Sequence, residues 1–411
     1  MNVLNLSTYA YGGAGIAAVR FHNMLLEFDV KSKFCCLSKD DLTIKNVYEL
    51  PVYELNIFKK VFRKIGLGFS QIDKFRNIAP IYSNNYEIFS IPHTNFDIID
   101  TDEYKSSDLI IIHWVSDMLD YPTFFQNNTK PTIIYMHDLN HASGGFHYLG
   151  DLRNCIDHKI LELNHKIELI KKNSYSDAQI MVLGNSRWTT NYAISSNIFP
   201  RETKFATLHY CTDKNFKRLD KKYCKSVFNI DFNMITICFG AQSVLNKRKG
   251  FSKLLEALQY LKQNQIVFHL LVFGDVNTTL FEEFENITFT GFISNNIFQS
   301  IVYSACDIFV IPSLEEAFGQ TLLEAMSCGV CPVGFNIGGI KDLIIHEHNG
   351  LLANPDDEFD LFTKIKQLIS DPQLLNTFGD RSLEIVNKNF TSSNQYSNFK
   401  SLLMRHFQIE I

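Results

Sequence analysis

Short apolar runs alternate with longer stretches of helical spacing from one end of the 411-residue chain to the other. The runs Asn2–Ser7, Lys33–Leu37, Asp108–His113, Thr132–His137, Gln179–Gly184 and Lys204–Tyr210 read as one series of strands. A second series follows at Met234–Gly240, Ile266–Gly274, Ile287–Gly291, Asp307–Pro312 and Val330–Phe335. Between them, Gly15–Phe28, Asp157–Ser174 and Phe251–Lys262 carry apolar residues at helical intervals. Such alternation predicts α/β units with parallel, doubly wound sheets. The polar, lysine-rich stretch that opens Cys211–Asn233 (CTDKNFKRLDKKYCKS) separates the series. It predicts an N-terminal domain over 1–212 and a second over 213–390, with a final helix at Ser392–Phe407 inside a tail, 391–411. Two units of this kind are expected to leave a cleft at the C-terminal ends of their strands, where open α/β sheets take ligands.

Residues Val52–Tyr104 fit the alternation poorly. Within them FKKVFRKIG (Phe58–Gly66) mixes cations and apolar residues at helical spacing. It reads either as a segment lying on an anionic membrane or lipid carrier, or as a helix packed on its domain with lysines in water.

Composition narrows the classes. Hydrophobic residues make up 45% and charged residues 20%, the balance of a folded protein. A formal net charge of −5 argues against a nucleic-acid partner. No apolar run reaches the roughly 18–20 residues that cross a bilayer. The start, MNVLNLSTYAYGGAG, lacks the pattern of a signal peptide, so a cytoplasmic location is expected. Nine cysteines scattered through apolar segments suit reduced, buried thiols. The C-x-x-C at Cys328–Cys331 follows a helix, whose C-terminal dipole disfavours a thiolate, so a redox role is not expected.

Four segments carry candidate chemistry. TYAYGGAGIAAVRF follows the first strand, and its glycines suit either close approach to an anion or a tight turn with no ligand. It is not the dinucleotide fingerprint G-x-G-x-x-G. MHDLNHASGGFHYLGD holds His137, Asp138, His141 and His147; its Gly, Ser and Asn content predicts a loop, which weakens a metal reading and favours His137 as a hydrogen-bonding or proton-handling group. Lys247, Arg248 and Lys249 stand just before a predicted helix, either as phosphate ligands or as a solvated basic turn. SLEEAFGQTLLEAMSCG places Glu316 in a loop and Glu324 in a helix that Thr321 would cap, with Glu324 closing a capping box. Glu316 can then face a ligand beside the amides of Phe318, Gly319, Gln320 and Thr321, and Glu324 can accept two ribose hydroxyls.

EAFGQTLLE resembles the E-x7-E motif of retaining GT-B glycosyltransferases, in particular family 4 enzymes of bacterial polysaccharide, O-antigen and capsule synthesis. The similarity runs through Ala305–Leu352 and extends to YGGAG, MHD-x-x-H-x-S-G-G, GNSRW and KRKGF. It implies two Rossmann-like domains facing a cleft, with the acceptor on the first, the nucleotide-sugar donor on the second and the C-terminal helix returning to the first. It further implies that Glu324 holds the ribose and Glu316 the sugar hydroxyls. Phe318–Thr321 would offer amides, Lys249 with Arg248 would neutralise the diphosphate, Gly13 and Ala14 would lie near phosphate or acceptor, and His137 near the transferred sugar. The expected donor is a UDP- or GDP-sugar and the acceptor a glycan or lipid-linked saccharide, with peripheral contact to the inner membrane and no metal or cofactor. Ala317 stands where many members have proline, and Ala241-Gln242-Ser243 where many have arginine. A nucleotide-sugar 2-epimerase and a non-catalytic nucleotide-sugar-binding subunit are the alternatives; an NAD-dependent oxidoreductase would need the missing fingerprint.

Overall fold

A computed structural model describes residues 1–40, 43–51, 71–243 and 246–409. FKKVFRKIG lies outside these residues. The chain divides into two compact units, Met1–His209 with Tyr396–Ile411, and Tyr210–Gln395.

The first unit is built on seven parallel strands: β1 (Asn2–Leu6), β2 (Lys31–Cys36), β3 (Val47–Glu49), β4 (Leu109–Ile112), β5 (Thr132–Met136), β6 (Ile180–Gly184) and β7 (Lys204–Thr207). Their order is β3-β2-β1-β4-β5-β6-β7. LIII in β4 and TIIYM in β5 are buried at every position, because helices cover both faces of the sheet. The Ser392–Phe407 helix joins this unit through Phe399, which meets Phe21 edge-on at 5.0 Å, and Tyr396, which stacks on Phe28 at 4.3 Å.

The second unit has six parallel strands: β8 (Thr236–Ser243), β9 (His269–Asp275), β10 (Ile287–Gly291), β11 (Ile308–Ile311), β12 (Cys331–Phe335) and β13 (Leu351–Ala353). Their order is β10-β9-β8-β11-β12-β13. The lysine-rich stretch at 211–233 is packed into this unit rather than left as a bare connector. Lys225, 2% exposed, reaches Asp307 Oδ2 at 2.8 Å, and Thr236 N donates to the same oxygen at 2.8 Å. Strands β3 and β13 were not expected. Each is three residues long, too short to show a period, and is held only at a sheet edge.

Among the described residues, no helix is long and apolar enough to cross a membrane.

Candidate functional site

In the second unit the strand order reverses between β8 and β11. Open parallel sheets hold ligands where the order reverses, at the C-terminal ends of the strands. The segments leaving those ends carry Lys247–Lys249 and Ser313–Glu316. Gly250 lets them meet. Its φ is 66°, and a Cβ there would stand 1.8 Å from the Pro312 carbonyl oxygen. Leu314 N donates to Arg248 O at 2.8 Å, locking the two segments backbone to backbone.

That contact sets the charges. Lys249 Nζ donates to Glu316 Oε2 at 2.7 Å, Ser313 Oγ donates to the same oxygen at 3.3 Å, and Arg248 Nη1 lies 4.0 Å from it. Arg248 Nη1 also donates to the Glu315 carbonyl at 3.1 Å. Glu316 is 8% exposed. Burial pushes its carboxyl up, but Lys249 and then Arg248 outweigh it and hold the group below the usual carboxylate range. The Glu316 carbonyl accepts from Gly339 N at 2.9 Å, so the loop after β12 supports the carboxylate's backbone. Sequence reasoning missed this support, although the glycine pair after a buried strand was there to be read.

The helix after Glu316 is Gln320–Ser327, and it corrects one expectation. Its N-cap is Gly319, with φ 104° and no side chain to bond with, and Thr321 is already inside the helix. The capping box is therefore not formed: T-x-x-E marks residues able to cap, but the left-handed glycine starts the helix earlier. Glu324 is buried instead, and the Tyr303 hydroxyl donates to its Oε2 at 3.1 Å. Burial and then the charge of Glu324 push the Tyr303 phenol well up, so it stays a donor. Tyr303 is a second residue that sequence reasoning missed; it comes from another helix, Asn296–Ser304. Phe318 is buried against Tyr210 at 4.9 Å and Phe390 at 6.2 Å, so its ring anchors the loop. Gln320 and Thr321 are half-buried in the first turn. Arg248, Lys249, Glu316, Phe318–Thr321 and Glu324 thus belong to two adjoining segments of one unit. Gly13, Ala14 and His137 lie in the other.

In the first unit, Gly13 is exposed and Ala14 half-buried in the first turn of the Gly12–Glu27 helix. His137 follows β5 and is buried in a hydrogen-bonded line. His22 Nε2 meets the Lys45 carbonyl at 2.8 Å, Ser32 Oγ meets His22 Nδ1 at 2.7 Å, and Asn5 Nδ2 donates to Ser32 Oγ at 2.9 Å. Asn5 Oδ1 then accepts from His113 Nε2 at 3.0 Å, and His113 Nδ1 accepts from His137 Nε2 at 2.9 Å. One set of neutral tautomers satisfies every link. Burial holds His137 down at about 3 and His113 well below the ordinary histidine value. Of the two roles expected for His137, hydrogen bonding fits this neutral ring better than carrying a proton near pH 7.

Asp138 and His141 belong to neighbouring networks. His141 takes the Tyr121 hydroxyl at 2.9 Å and bonds the His113 carbonyl at 2.5 Å, and burial lowers it to about 4. His147 Nδ1 donates to Asp138 Oδ2 at 2.6 Å, and Asn140 N donates to Asp138 Oδ1 at 2.9 Å. Buried Lys171 ties the loop together through the carbonyls of Asn140 at 2.5 Å and Gly144 at 2.8 Å. Among the described residues, no group of three or more His, Cys, Asp or Glu is arranged to hold a metal ion. The chain does contain an Asp-x-Asp, a spacing of carboxylates able to hold a metal, at Asp100-Thr101-Asp102. There Thr101 caps a short helix by accepting from Tyr104 N, and Asp100 faces solvent with 82% of its side chain exposed. Cys328 and Cys331 are both buried; burial pushes Cys328 up to about 12 and Cys331 further, as expected of inert thiols.

Comparison with known proteins points to the same unit. Residues 236–384, which span both charged segments, match the family model described as "Glycosyl transferases group 1". The chain is 26% identical over 308 residues to an uncharacterized glycosyltransferase of Methanocaldococcus jannaschii, MJ1178, covering 66% of this chain and 84% of that protein. Among solved structures it resembles the sucrose-phosphate synthase of Thermosynechococcus elongatus, with TM-score 0.71, 16% identity and coverage of 99% and 100%. It also resembles Anabaena HepE in complex with UDP and glucose, with TM-score 0.67, 16% identity and coverage of 98% and 99%. Residues 236–384 of the second unit thus match the glycosyl transferases group 1 model, and the chain has the GT-B fold.

Proposed function

We infer that the protein is a retaining glycosyltransferase. It moves a sugar from a nucleoside-diphosphate donor to a hydroxyl of a glycan or lipid-linked saccharide, in synthesis of a bacterial surface polysaccharide and without a metal. The observation that carries this reading is the buried Glu316 carboxylate clamped by Lys249 at 2.7 Å at the strand-order reversal of the family-matched unit. The second unit takes the donor and the first the acceptor. Glu316 uses Oε2 for Lys249 and Ser313, which leaves Oε1 as the oxygen that meets a sugar hydroxyl. Glu324 holds the ribose while Tyr303 fixes its orientation. The amides of Phe318 to Thr321 and the cations Lys249 and Arg248 meet the diphosphate, and Gly13, Ala14 and His137 serve the reacting sugar from the first unit.

The barrier lies in parting an oxocarbenium-like sugar from its diphosphate, and enzymes supply about 8 kcal/mol or more against such barriers. A helix terminus gives about 0.3–2 kcal/mol. One preorganised donor in a dry site gives about 3–4 kcal/mol. Lys249, Arg248 and the loop amides together therefore reach the needed scale, and the helix alone does not. UDP-sugars are the first donors to test, since HepE was crystallised with UDP and glucose.

A thermal-shift screen of UDP- and GDP-sugars tests the reading. At a hundred times its Kd the correct donor stabilises the chain by about 2.7 kcal/mol, a rise in Tm of several degrees. Proton NMR of the product formed from that donor should show the anomeric configuration kept. A flat melting temperature across the whole set would count against a nucleotide-sugar enzyme.

A further inference from the structure

The first unit's strand order also reverses, between β1 and β4, and the residues just past those two strands are aromatic. Tyr9 follows β1 and Trp114 follows β4; their rings lie 5.9 Å apart, and Tyr9 stacks on Tyr11 at 4.9 Å and 26°. Thr8 N donates to the Trp114 carbonyl at 2.7 Å, fixing the two strand exits to each other. The platform is open to solvent, with Tyr11 38% and Tyr82 64% exposed. Thr8 Oγ1 donates to the Ser116 carbonyl at 2.6 Å, which brings Asp117 to the same strand exit. Phe89 N donates to the Ile81 carbonyl at 2.8 Å, which ties the residue before Tyr82 to the segment that Arg76 holds. Asp117 adopts a left-handed backbone (φ 60°) and pairs with Arg76, whose other nitrogen donates to the Phe89 carbonyl at 2.8 Å.

Trp114 is held from beneath. Its indole N–H donates to Asp138 Oδ2 at 3.0 Å, and that buried carboxylate is kept ionised by His147 and the Asn140 amide. A carboxylate accepting from an indole N–H fixes the ring and enriches its π face, and an aromatic face attracts polarised C–H bonds.

We propose that Tyr9, Tyr11, Tyr82 and Trp114 form a stacking platform for a sugar ring, with the Arg76–Asp117 pair at its edge bonding the ring hydroxyls. The C–H face of a pyranose lies on the aromatic rings, and its equatorial hydroxyls meet the guanidinium and carboxylate. Calling this sugar the acceptor rests on the transferase reading; the platform itself does not. Asp138 is a positioning residue that acts through Trp114.

Saturation-transfer NMR on the full chain tests it, with UDP and the methyl glycosides of glucose, galactose, mannose and N-acetylglucosamine titrated separately. At least one glycoside should receive saturation at its ring C–H protons. Its affinity should fall about two- to tenfold in Tyr11→Ala and in Tyr82→Ala and be restored in Tyr11→Phe, because the stack needs the ring and not the hydroxyl. UDP binding should be the same in all variants. If UDP fails to bind while a glycoside binds in this pattern, the donor reading falls and the platform stands. Absence of transfer to every glycoside, or equal affinity in wild type and Tyr11→Ala at unchanged Tm, overturns it.

Discussion

Lys249→Ala is expected to lower kcat by about a hundredfold or more at saturating donor, the loss seen when one preorganised donor leaves a dry site. Lys249 is a donor whose position is fixed: Glu316 holds its ammonium at 2.7 Å, and the basic segment is tied to the β11 exit through Gly250 and Leu314. The substitution also strands a buried carboxylate, and breaking a buried pair from one side commonly costs about 3–5 kcal/mol. Arg248 at 4.0 Å and Ser313 at 3.3 Å remain beside Glu316, so the loss of stability should fall below that range. The double variant Lys249→Ala/Glu316→Gln removes the stranded charge and should regain Tm without regaining turnover. Steady-state kinetics with the donor found by thermal shift, alongside melts of the three proteins, separates the effects. Turnover of Lys249→Ala within a factor of a few of wild type would remove Lys249 from the catalytic role.

The second large effect is on stability in acid. His113, His137 and His141 are buried and neutral, with His137 lowered to about 3, His141 to about 4 and His113 further below its ordinary value. In the unfolded chain each binds a proton near pH 6.5. Below that pH the unfolded state takes up protons that the native state refuses, so stability falls as the pH drops from about 6.5 to about 4. Each such imidazole adds a slope of roughly 1.4 kcal/mol per pH unit, and three together give about 4. Asp138, held at about 2 by its partners, and Asp120 and Glu316, both held below their ordinary values, add a further loss below about pH 4, where the unfolded chain protonates these carboxylates before the native state does. Against a typical total of about 5–15 kcal/mol, the chain should unfold well above the pH at which an ordinary carboxylate-limited domain does. Urea midpoints across this range should show the slope, and His141→Gln should make it shallower by about one proton. A midpoint constant between pH about 6.5 and about 4.5 would contradict the neutral network.

Much of the geometry around Glu316 and Glu324 was legible because it is local in sequence. Glu316, Phe318 to Thr321 and Glu324 sit on one strand–loop–helix segment, and a buried run such as IFVI in β11 fixes where that segment leaves the sheet. The helix start was misread because a short capping pattern says what a side chain can do and not what the backbone before it does; Gly319 decided the matter. Long-range pairings were not legible. His113 and His137 meet because β4 and β5 are adjacent parallel strands in register, and no spacing along the chain signals that pairing. Tyr303 reaches Glu324 from a separate helix for the same reason, and Trp114 reaches Asp138 across two strand exits.

The central claim is that the second unit holds a nucleoside diphosphate with Glu324 on its ribose. Isothermal titration of UDP and of GDP into wild type and Glu324→Gln tests it most directly. Glutamine keeps the shape and still offers Tyr303 an acceptor, but it loses the charge and one of the two acceptor oxygens that two ribose hydroxyls require. The account predicts at least a roughly tenfold weaker Kd for the nucleotide that binds, about 1.4 kcal/mol, with Tm unchanged. Equal affinity in the two proteins would contradict it and leave Glu324 in a structural role, as a buried acceptor for Tyr303.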